Sequence, residues 1–418
     1  MPPKIARWMT FGLAAVSGFV SYLAFKPAGL WFLAPAAVAG LYLAVLRAGA
    51  WRSLAVGLVF GLAQFLPLLG WAYNAAGPLP YLALAIVSAL GVALGPFVYG
   101  LARPLVEFGR RPNRWLGAVG FAFALTAADT LRSFVPFGGF PWGRIGFTQA
   151  TGPLGRWAFI GGVPLVGLAV ALLATLAVAG VMALADGASL GAGIAGAVII
   201  GVVLIPLTLP IDAAAERGTL TAGAVQGDVD VTAEGLFAQQ RQVLENHVEQ
   251  TAVLMSGQAV GPLDVVLWPE NSTDIDPRAD SQAKAAIDHA ATLAGAPLLV
   301  GAMEYTGDGQ RYNQGLLWVA GQGVVDLYAK QHPAPFAEYM PARSFFRLFT
   351  SKVDLITTDM LAGDDVGVLD LEAAVLGRTV ALGDVICFEV AYDAIVAETV
   401  RAGAEVVIVQ TNNASFGR

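Results

Sequence analysis

Charge is what this sequence most lacks. Charged residues make up 13% of its 418 positions and hydrophobic ones 56%, where a soluble domain carries about 25% charged residues. The shortage is uneven. From Met1 to Ile211 there are 12 Lys+Arg against 3 Asp+Glu, and beyond Ile211 12 against 28. Segments suited to such different solvents are separate domains, expected at 1–212 and 213–418. Cysteine is almost absent as well. Cys387 stands alone, which excludes an internal disulfide and leaves either a small buried hydrophobe or a reactive thiol. Histidine occurs three times, at His247, His289 and His332. No His/Cys cluster has metal-ligand spacing, so neither a metal nor a cofactor is expected. A net charge of −7 without a concentrated basic face argues against a nucleic-acid partner.

Long apolar runs fill the first half. A membrane span needs about 20 mostly apolar residues. Seven stretches qualify, near 8–25, 28–46, 53–71, 79–102, 115–131, 157–185 and 189–211. Six spans following the first argue against its being a cleaved signal peptide. The glycine and alanine of Gly191-Ala-Gly-Ile-Ala-Gly196 suit close helix contacts in lipid, or are simple apolar filler. With seven spans, eight Lys/Arg (Lys4, Arg7, Arg47, Arg52, Arg103, Arg110, Arg111 and Arg114) share the side of the N-terminus. The other side has four: Lys26, Arg132, Arg144 and Arg156. The excess places the N-terminus in the cytoplasm and everything after Asp212 outside. One outer loop, 132–156, is long and aromatic, with Phe137-Gly-Gly-Phe-Pro-Trp-Gly143. It reads as an interfacial anchor or as a substrate entry.

After Pro210 the periodicity changes. Strands are expected at Thr219–Gln226, Leu263–Trp268, Pro297–Met303, Gly315–Ala320, Val324–Ala329, Thr379–Ile386 and Glu405–Thr411. Helices are expected at 233–255, 279–294 and 390–402. This alternation indicates a layered α/β domain. Glu270, Lys330 and Cys387 sit at the ends of three of these strands, where side chains point into a ligand crevice. A thiol attacks only as thiolate, a carboxylate can take its proton, and an ammonium favours both the thiolate and a later oxyanion. The three residue types make up an acyl-transfer set without histidine. Each alone also has a structural reading: a buried cysteine, a helix-terminal glutamate, a solvated lysine.

The local sequences go further. Trp268-Pro-Glu-Asn-Ser272, Lys330-Gln-His-Pro-Ala-Pro-Phe-Ala-Glu338 and Gly383-Asp-Val-Ile-Cys-Phe-Glu389 resemble, in this order, the three signatures of the nitrilase (carbon-nitrogen hydrolase) superfamily. Joined to a bundle of about seven spans, they are similar to its membrane branch, the apolipoprotein N-acyltransferases. The resemblance implies an extracytoplasmic αββα nitrilase-like domain behind a multi-pass helical bundle in the cell (inner) membrane. It implies that Glu270 is the general base, Lys330 the oxyanion stabiliser and Cys387 the nucleophile. Glu338 and Glu389 would orient Lys330 and the base, and Asn313 and the strand end Thr411-Asn-Asn-Ala-Ser415 would lie near the pocket. Ala337 stands where the family pattern has glycine, at a step where positive φ suits glycine best. His332 reads as a hydrogen-bonded structural histidine, the catalytic set being complete without it.

The activity implied is transfer of a fatty acyl chain from a membrane phospholipid, through a Cys387 thioester, to the α-amino group of a diacylglyceryl apolipoprotein. A membrane-tethered amidohydrolase would use the same residues with water. A transporter is the contrasting class, but spans lacking central ionisable residues do not suit it. Proteins of this resemblance continue beyond the equivalent of Arg418, so the catalytic domain is expected to be C-terminally incomplete. The charge bias yields a direct test. A cysteine placed in loop 103–114 should resist a membrane-impermeant thiol reagent in intact cells, while one at Ser281 should react above the background set by Cys387. The reverse pattern inverts the orientation.

Overall fold

The computed structural model describes residues 7–106, 113–211, 217–228, 240–257, 261–273, 275–348 and 350–414. Lys4, Arg110 and Arg111, the boundary at Asp212, residues 233–239 of an expected helix, and Ser415 lie outside them. The chain divides into two compact units, Met1–Ala213 and Ala214–Arg418.

The first unit is helical. It comprises α1 (Arg7–Leu23), α2 (Leu33–Val45), α3 (Ala50–Leu68), the short α4 (Gly70–Ala76), α5 (Pro78–Val106), α6 (Arg114–Leu131), α7 (Ala158–Ala185) and α8 (Ser189–Leu204). Each expected apolar stretch thus falls on a helix. Among the described residues, four segments are long and apolar enough to cross a membrane: Ala50–Leu68, Pro78–Pro104, Pro153–Ala185 and Ser189–Thr208. α1 and α2 are apolar but shorter. α7 is broken near its start, where Gly161 and Gly162 leave helical geometry just before Pro164, the usual residues at a kink.

Helices approach closely where side chains vanish. A Cβ on Gly61 would sit 2.6 Å from Ala89 Cα, and one on Gly95 2.7 Å from Leu125 Cα. Such backbone contact between helices is what small residues permit. The run 191–196 serves this purpose in part: a Cβ on Gly191 would sit 3.0 Å from the Trp115 ring and one on Gly180 3.7 Å from the Ala195 Cβ, whereas Gly193 and Gly196 meet nothing within 4 Å. The filler reading therefore holds for Gly193 and Gly196 alone.

The 132–156 loop is built rather than loose. Buried Arg132 donates to Asp129 Oδ1 at 2.8 Å, Phe140 O at 2.6 Å and Trp142 O at 2.8 Å. Asp129 Oδ2 accepts from Ile145 N at 3.1 Å. Two short 3₁₀ turns, Ile145–Gln149 and Pro153–Trp157, complete the path to α7.

The second unit contains β1 (Ala222–Ala224), α9 (Gln240–Ser256), β2 (Val265–Leu267), α10 (Ser281–Ala294), β3 (Leu298–Tyr305), β4 (Arg311–Val319), β5 (Gly323–Ala329), a one-turn α11 (Arg343–Phe346), β6 (Val368–Ala373), β7 (Arg378–Ile386), α12 (Asp393–Arg401) and β8 (Val406–Gln410). β1 through β5 form one sheet in that order and β6-β7-β8 a second. Val265, Leu299, Leu317 and Tyr328 of the larger sheet pack against Leu369, Leu371, Leu382 and Ile386 of the smaller. α10 covers the opposite face of the larger sheet, with Ile287 and Ala290 in one core with Val266, Leu298 and Trp318. α12 lies on the smaller sheet, where Thr399 meets Gly383. Helix, sheet, sheet and helix stack in that order.

Sequence expectations need correction here, the strand expected at Leu263–Trp268 covering only Val265–Leu267. β1 covers three residues of Thr219–Gln226, because its parallel partner β2 is itself only three residues long. The helix expected at 390–402 is a 3₁₀ turn, Cys387–Ala391, followed by α12. β6 was not expected at all.

The Arg132–Asp129 pair is almost fully buried, with side chains 3% and 11% exposed. Removing one partner of a buried pair costs about 3–5 kcal/mol. Arg132→Met should therefore lower the thermal unfolding midpoint of the detergent-solubilised protein by several degrees. An unchanged midpoint would mean that the pair and its carbonyl bonds do not hold the loop.

Candidate active site

Glu270 sits just past β2 and is held from three directions. Gly301 of β3 lets its loop lie flat, since a Cβ there would be 2.3 Å from Pro269 O. Asn313 Nδ2 on β4 donates to Glu270 Oε1 at 2.8 Å. Asn412 N, two residues past β8, donates to Glu270 Oε2 at 2.9 Å.

Lys330 is the first residue after β5, fixed there by its own N–H to Asn313 O at 2.9 Å and by Gly363 N to its carbonyl at 2.8 Å. Its ammonium donates to Glu338 Oε1 at 2.8 Å and to Glu270 Oε1 at 3.4 Å. Glu338 in turn accepts from Ala334 N at 2.6 Å through Oε2. The turn carrying Glu338 needs no glycine at 337, because the positive φ (64°) falls on Phe336. The alanine at 337 is therefore no obstacle.

Cys387 opens the 3₁₀ turn after β7 with φ 58°. Left-handed backbone is uncommon outside glycine and clusters at functional turns. Glu389 secures this elbow. Its Oε2 accepts from Ile386 N at 2.8 Å, and its Oε1 accepts from Gln331 N at 2.8 Å and His332 N at 2.9 Å. Tyr328 OH donates to the same carboxylate at 3.0 Å. Glu389 thus works on backbone, locking the residues after Lys330 to the residue before Cys387. The sequence had suggested orientation of Lys330 or the base themselves. Tyr328 had no motif to mark it, although its place two residues before Lys330 puts both on one strand face.

The fold brings Glu270, Lys330, Cys387, Glu338, Glu389 and Asn313 together, and Thr411 as well, whose Oγ1 donates to Cys387 Sγ at 3.5 Å. His332 stacks on Tyr392 with ring centroids 4.1 Å apart. Burial and the Lys330 charge lower its pKa, so it is a neutral packing group. Among the described residues no group of three or more His, Cys, Asp or Glu is placed to hold a metal ion.

Electrostatics sort the roles. Burial works against the charge on Lys330, but Glu338 and Glu270 outweigh it and hold the ammonium above its ordinary pKa. The Cys387 thiol is pushed up to about 11 by burial and by the Glu270 charge, against the opposing pull of Lys330 and the Thr411 hydrogen bond. The resting thiol is therefore neutral at physiological pH.

Residues 17–176 match the family model described as apolipoprotein N-acyltransferase N-terminal domain, and residues 221–418 match carbon-nitrogen hydrolase. The chain is similar to a protein named apolipoprotein N-acyltransferase from Mycolicibacterium smegmatis, 35% identical over 98% of this chain and 70% of that protein. A relative of the same name from Azotobacter vinelandii is 30% identical over 98% and 80%. Among solved structures, an amidase from Nesterenkonia sp. aligns at 16% identity and TM-score 0.33, over 48% of this chain and 67% of that one.

The neighbouring carboxylate predicts an observable sign. An adjacent negative charge disfavours thiolate, so Glu270→Gln should move the pH profile of Cys387 alkylation by iodoacetamide downward by on the order of one pH unit. An unmoved or raised profile would place Glu270 out of contact with the thiol.

Proposed function

The chain belongs to the apolipoprotein N-acyltransferase family, and from that premise we propose how its site carries out lipoprotein N-acylation. The observation that carries the reading is one carboxylate, Glu270, acting at once on the Cys387 thiol and on the Lys330 ammonium. Glu270 takes the thiol proton as Sγ attacks the ester carbonyl of a phospholipid. Negative charge moves to the carbonyl oxygen, where Lys330 stabilises it. The tetrahedral intermediate collapses by breaking the ester C–O bond, and protonated Glu270 returns the proton to the departing glycerol oxygen. The products are a lysophospholipid and a thioester on Cys387.

The second half reverses the roles. The neutral α-amino group of an S-diacylglyceryl cysteine attacks the thioester carbonyl, and Glu270 takes one of its protons. Lys330 again meets the oxyanion. The C–S bond breaks, the amide leaves, and the proton passes back to the sulfur. Glu338 keeps Lys330 charged through both steps, and Asn313 and the Asn412 amide hold the base in place.

Phospholipid donor and diacylglyceryl acceptor are both membrane-borne, which fits a chain whose first half holds apolar helices of spanning length. The full arrangement we propose is seven spans, an N-terminus in the cytoplasm and a catalytic domain on the outer face of the inner membrane. Its support is the excess of Lys/Arg on the N-terminal side.

Incubation with phospholipid should add one acyl mass to the intact chain, labile to hydroxylamine, and Cys387→Ala should carry none. The same adduct on the alanine variant would make Cys387 structural. Lys330→Met should slow both adduct formation and transfer by about 10²–10³, the worth of an oxyanion donor. Rates within tenfold of wild type would remove Lys330 from the reaction.

A further inference from the structure

Asp384 is an acid in the apolar C-terminal part of β7, three residues before Cys387, and it is 0% exposed. Its carboxyl points at Gly315 of β4, in the opposing sheet. A Cβ on Gly315 would lie 1.8 Å from Asp384 Oδ2 and 2.7 Å from Gln410 Oε1. Gly315 does not have positive φ, so the missing side chain provides room there and not a turn. Two oxygens therefore crowd one point. Among the described residues neither oxygen of Asp384 nor Oε1 of Gln410 has a hydrogen-bond partner.

Two acceptors facing each other leave both buried and unsatisfied, at a cost of about 1–3 kcal/mol each. Turning the Gln410 amide around does not help. Its Nε2 donates to Trp268 O at 2.7 Å, and a reversed amide would put oxygen against that carbonyl, which can only accept. A proton on the acid itself supplies the missing donor. We infer that Asp384 is held as a neutral carboxylic acid donating to Gln410 Oε1, and that through Gln410 it positions both strand ends facing Cys387.

The surroundings favour the neutral form. Burial raises the Asp384 pKa well above the carboxylate range, and Glu389 and Glu270 push it the same way. Tyr328 is a neutral phenol, and Lys330, the nearby cation of the site, is engaged by Glu338 and Glu270. The relay runs across both sheets, from β7 through β8 to the end of β2. Gln410 immediately precedes Thr411, which donates to Cys387 Sγ, and Asn412, whose N–H holds Glu270. Trp268 lies two residues before Glu270. Displacing this relay shifts thiol and base relative to each other, and a misplacement of about 1 Å can cost about 10²-fold in rate. The positioning role rests on the proposed reading of Cys387 and Glu270 as nucleophile and base.

The test uses the full chain in detergent, with Asp384→Asn, Asp384→Leu and Cys387→Ala. Multiple-turnover transfer from dipalmitoyl phosphatidylethanolamine to a synthetic diacylglyceryl lipopeptide gives kcat and KM, and intact mass reads the adduct. An infrared difference spectrum, wild type minus Asp384→Asn in lipid-free detergent, reports the carboxyl group directly. Expected are a protonated carboxylic-acid carbonyl band at neutral pH and an Asp384→Asn rate within about threefold of wild type, since the amide can donate in the acid's place. Asp384→Leu should lose about 10²-fold in kcat with KM little changed. A missing acid band, an asparagine variant as slow as the leucine one, or a leucine variant as fast as wild type would each overturn the inference. Should Asp384→Leu not fold, the band and the asparagine variant still decide. An adduct surviving in Cys387→Ala would sink the nucleophile reading instead, and the band would still settle the state of Asp384.

Discussion

An ammonium buried to 1% exposure cannot stay charged without close anions, and Lys330 has two, Glu338 at 2.8 Å and Glu270 at 3.4 Å. Much of the catalytic unit can be understood as keeping those three charges in register. β5 delivers Lys330, the Ala334–Glu338 turn delivers one carboxylate, and the flat loop over Gly301 delivers the other. Asn313 links two of them, donating its side chain to Glu270 and accepting the Lys330 N–H on its carbonyl. Any shift of β4 is therefore felt by both members. The arrangement also accounts for a thiol that rests protonated. Glu270 carries the charge that disfavours thiolate, and it is the same group proposed to remove the proton.

Around this cluster the supports act largely on backbone. Glu389 accepts three main-chain N–H groups from two different segments, which holds Cys387 in its left-handed turn. The helical unit repeats the pattern with opposite charge, because Arg132 donates to two main-chain carbonyls as well as to Asp129. In both units a buried ion sets the path of an irregular segment by satisfying peptide groups that no helix or sheet could pair.

The site was largely legible in the sequence because its three principal residues stand at strand ends, inside segments of distinctive composition. What the pattern could not disclose was three-dimensional. Glu389 could be seen to matter, but not that it works through the N–H groups of residues 331, 332 and 386. Phe336 gives no sign of taking the left-handed step in place of residue 337, because tertiary contacts override its local preference there. β6 has the alternation of a strand, Val368-Leu-Asp-Leu-Glu-Ala373, yet its outward acids dilute the signal. Asp384 was visible only as an acid in an apolar run, and its meaning depends on Gly315 and Gln410, which are distant in sequence. For the helical unit, composition located the long helices and missed the short α4. Which glycines mediate contact depended on neighbours, so Gly61 and Gly95 do so and Gly193 and Gly196 do not.

The central claim is that one thiol carries the acyl group between two lipids. Intact-mass spectrometry of the phospholipid-charged enzyme, after addition of a synthetic diacylglyceryl lipopeptide, tests it most directly. The account predicts that the acyl mass leaves Cys387 and appears on the peptide as an amide, and that a peptide with its α-amino group acetylated leaves the enzyme charged. Loss of the adduct to water at the same rate with either peptide would contradict it and make the protein a hydrolase.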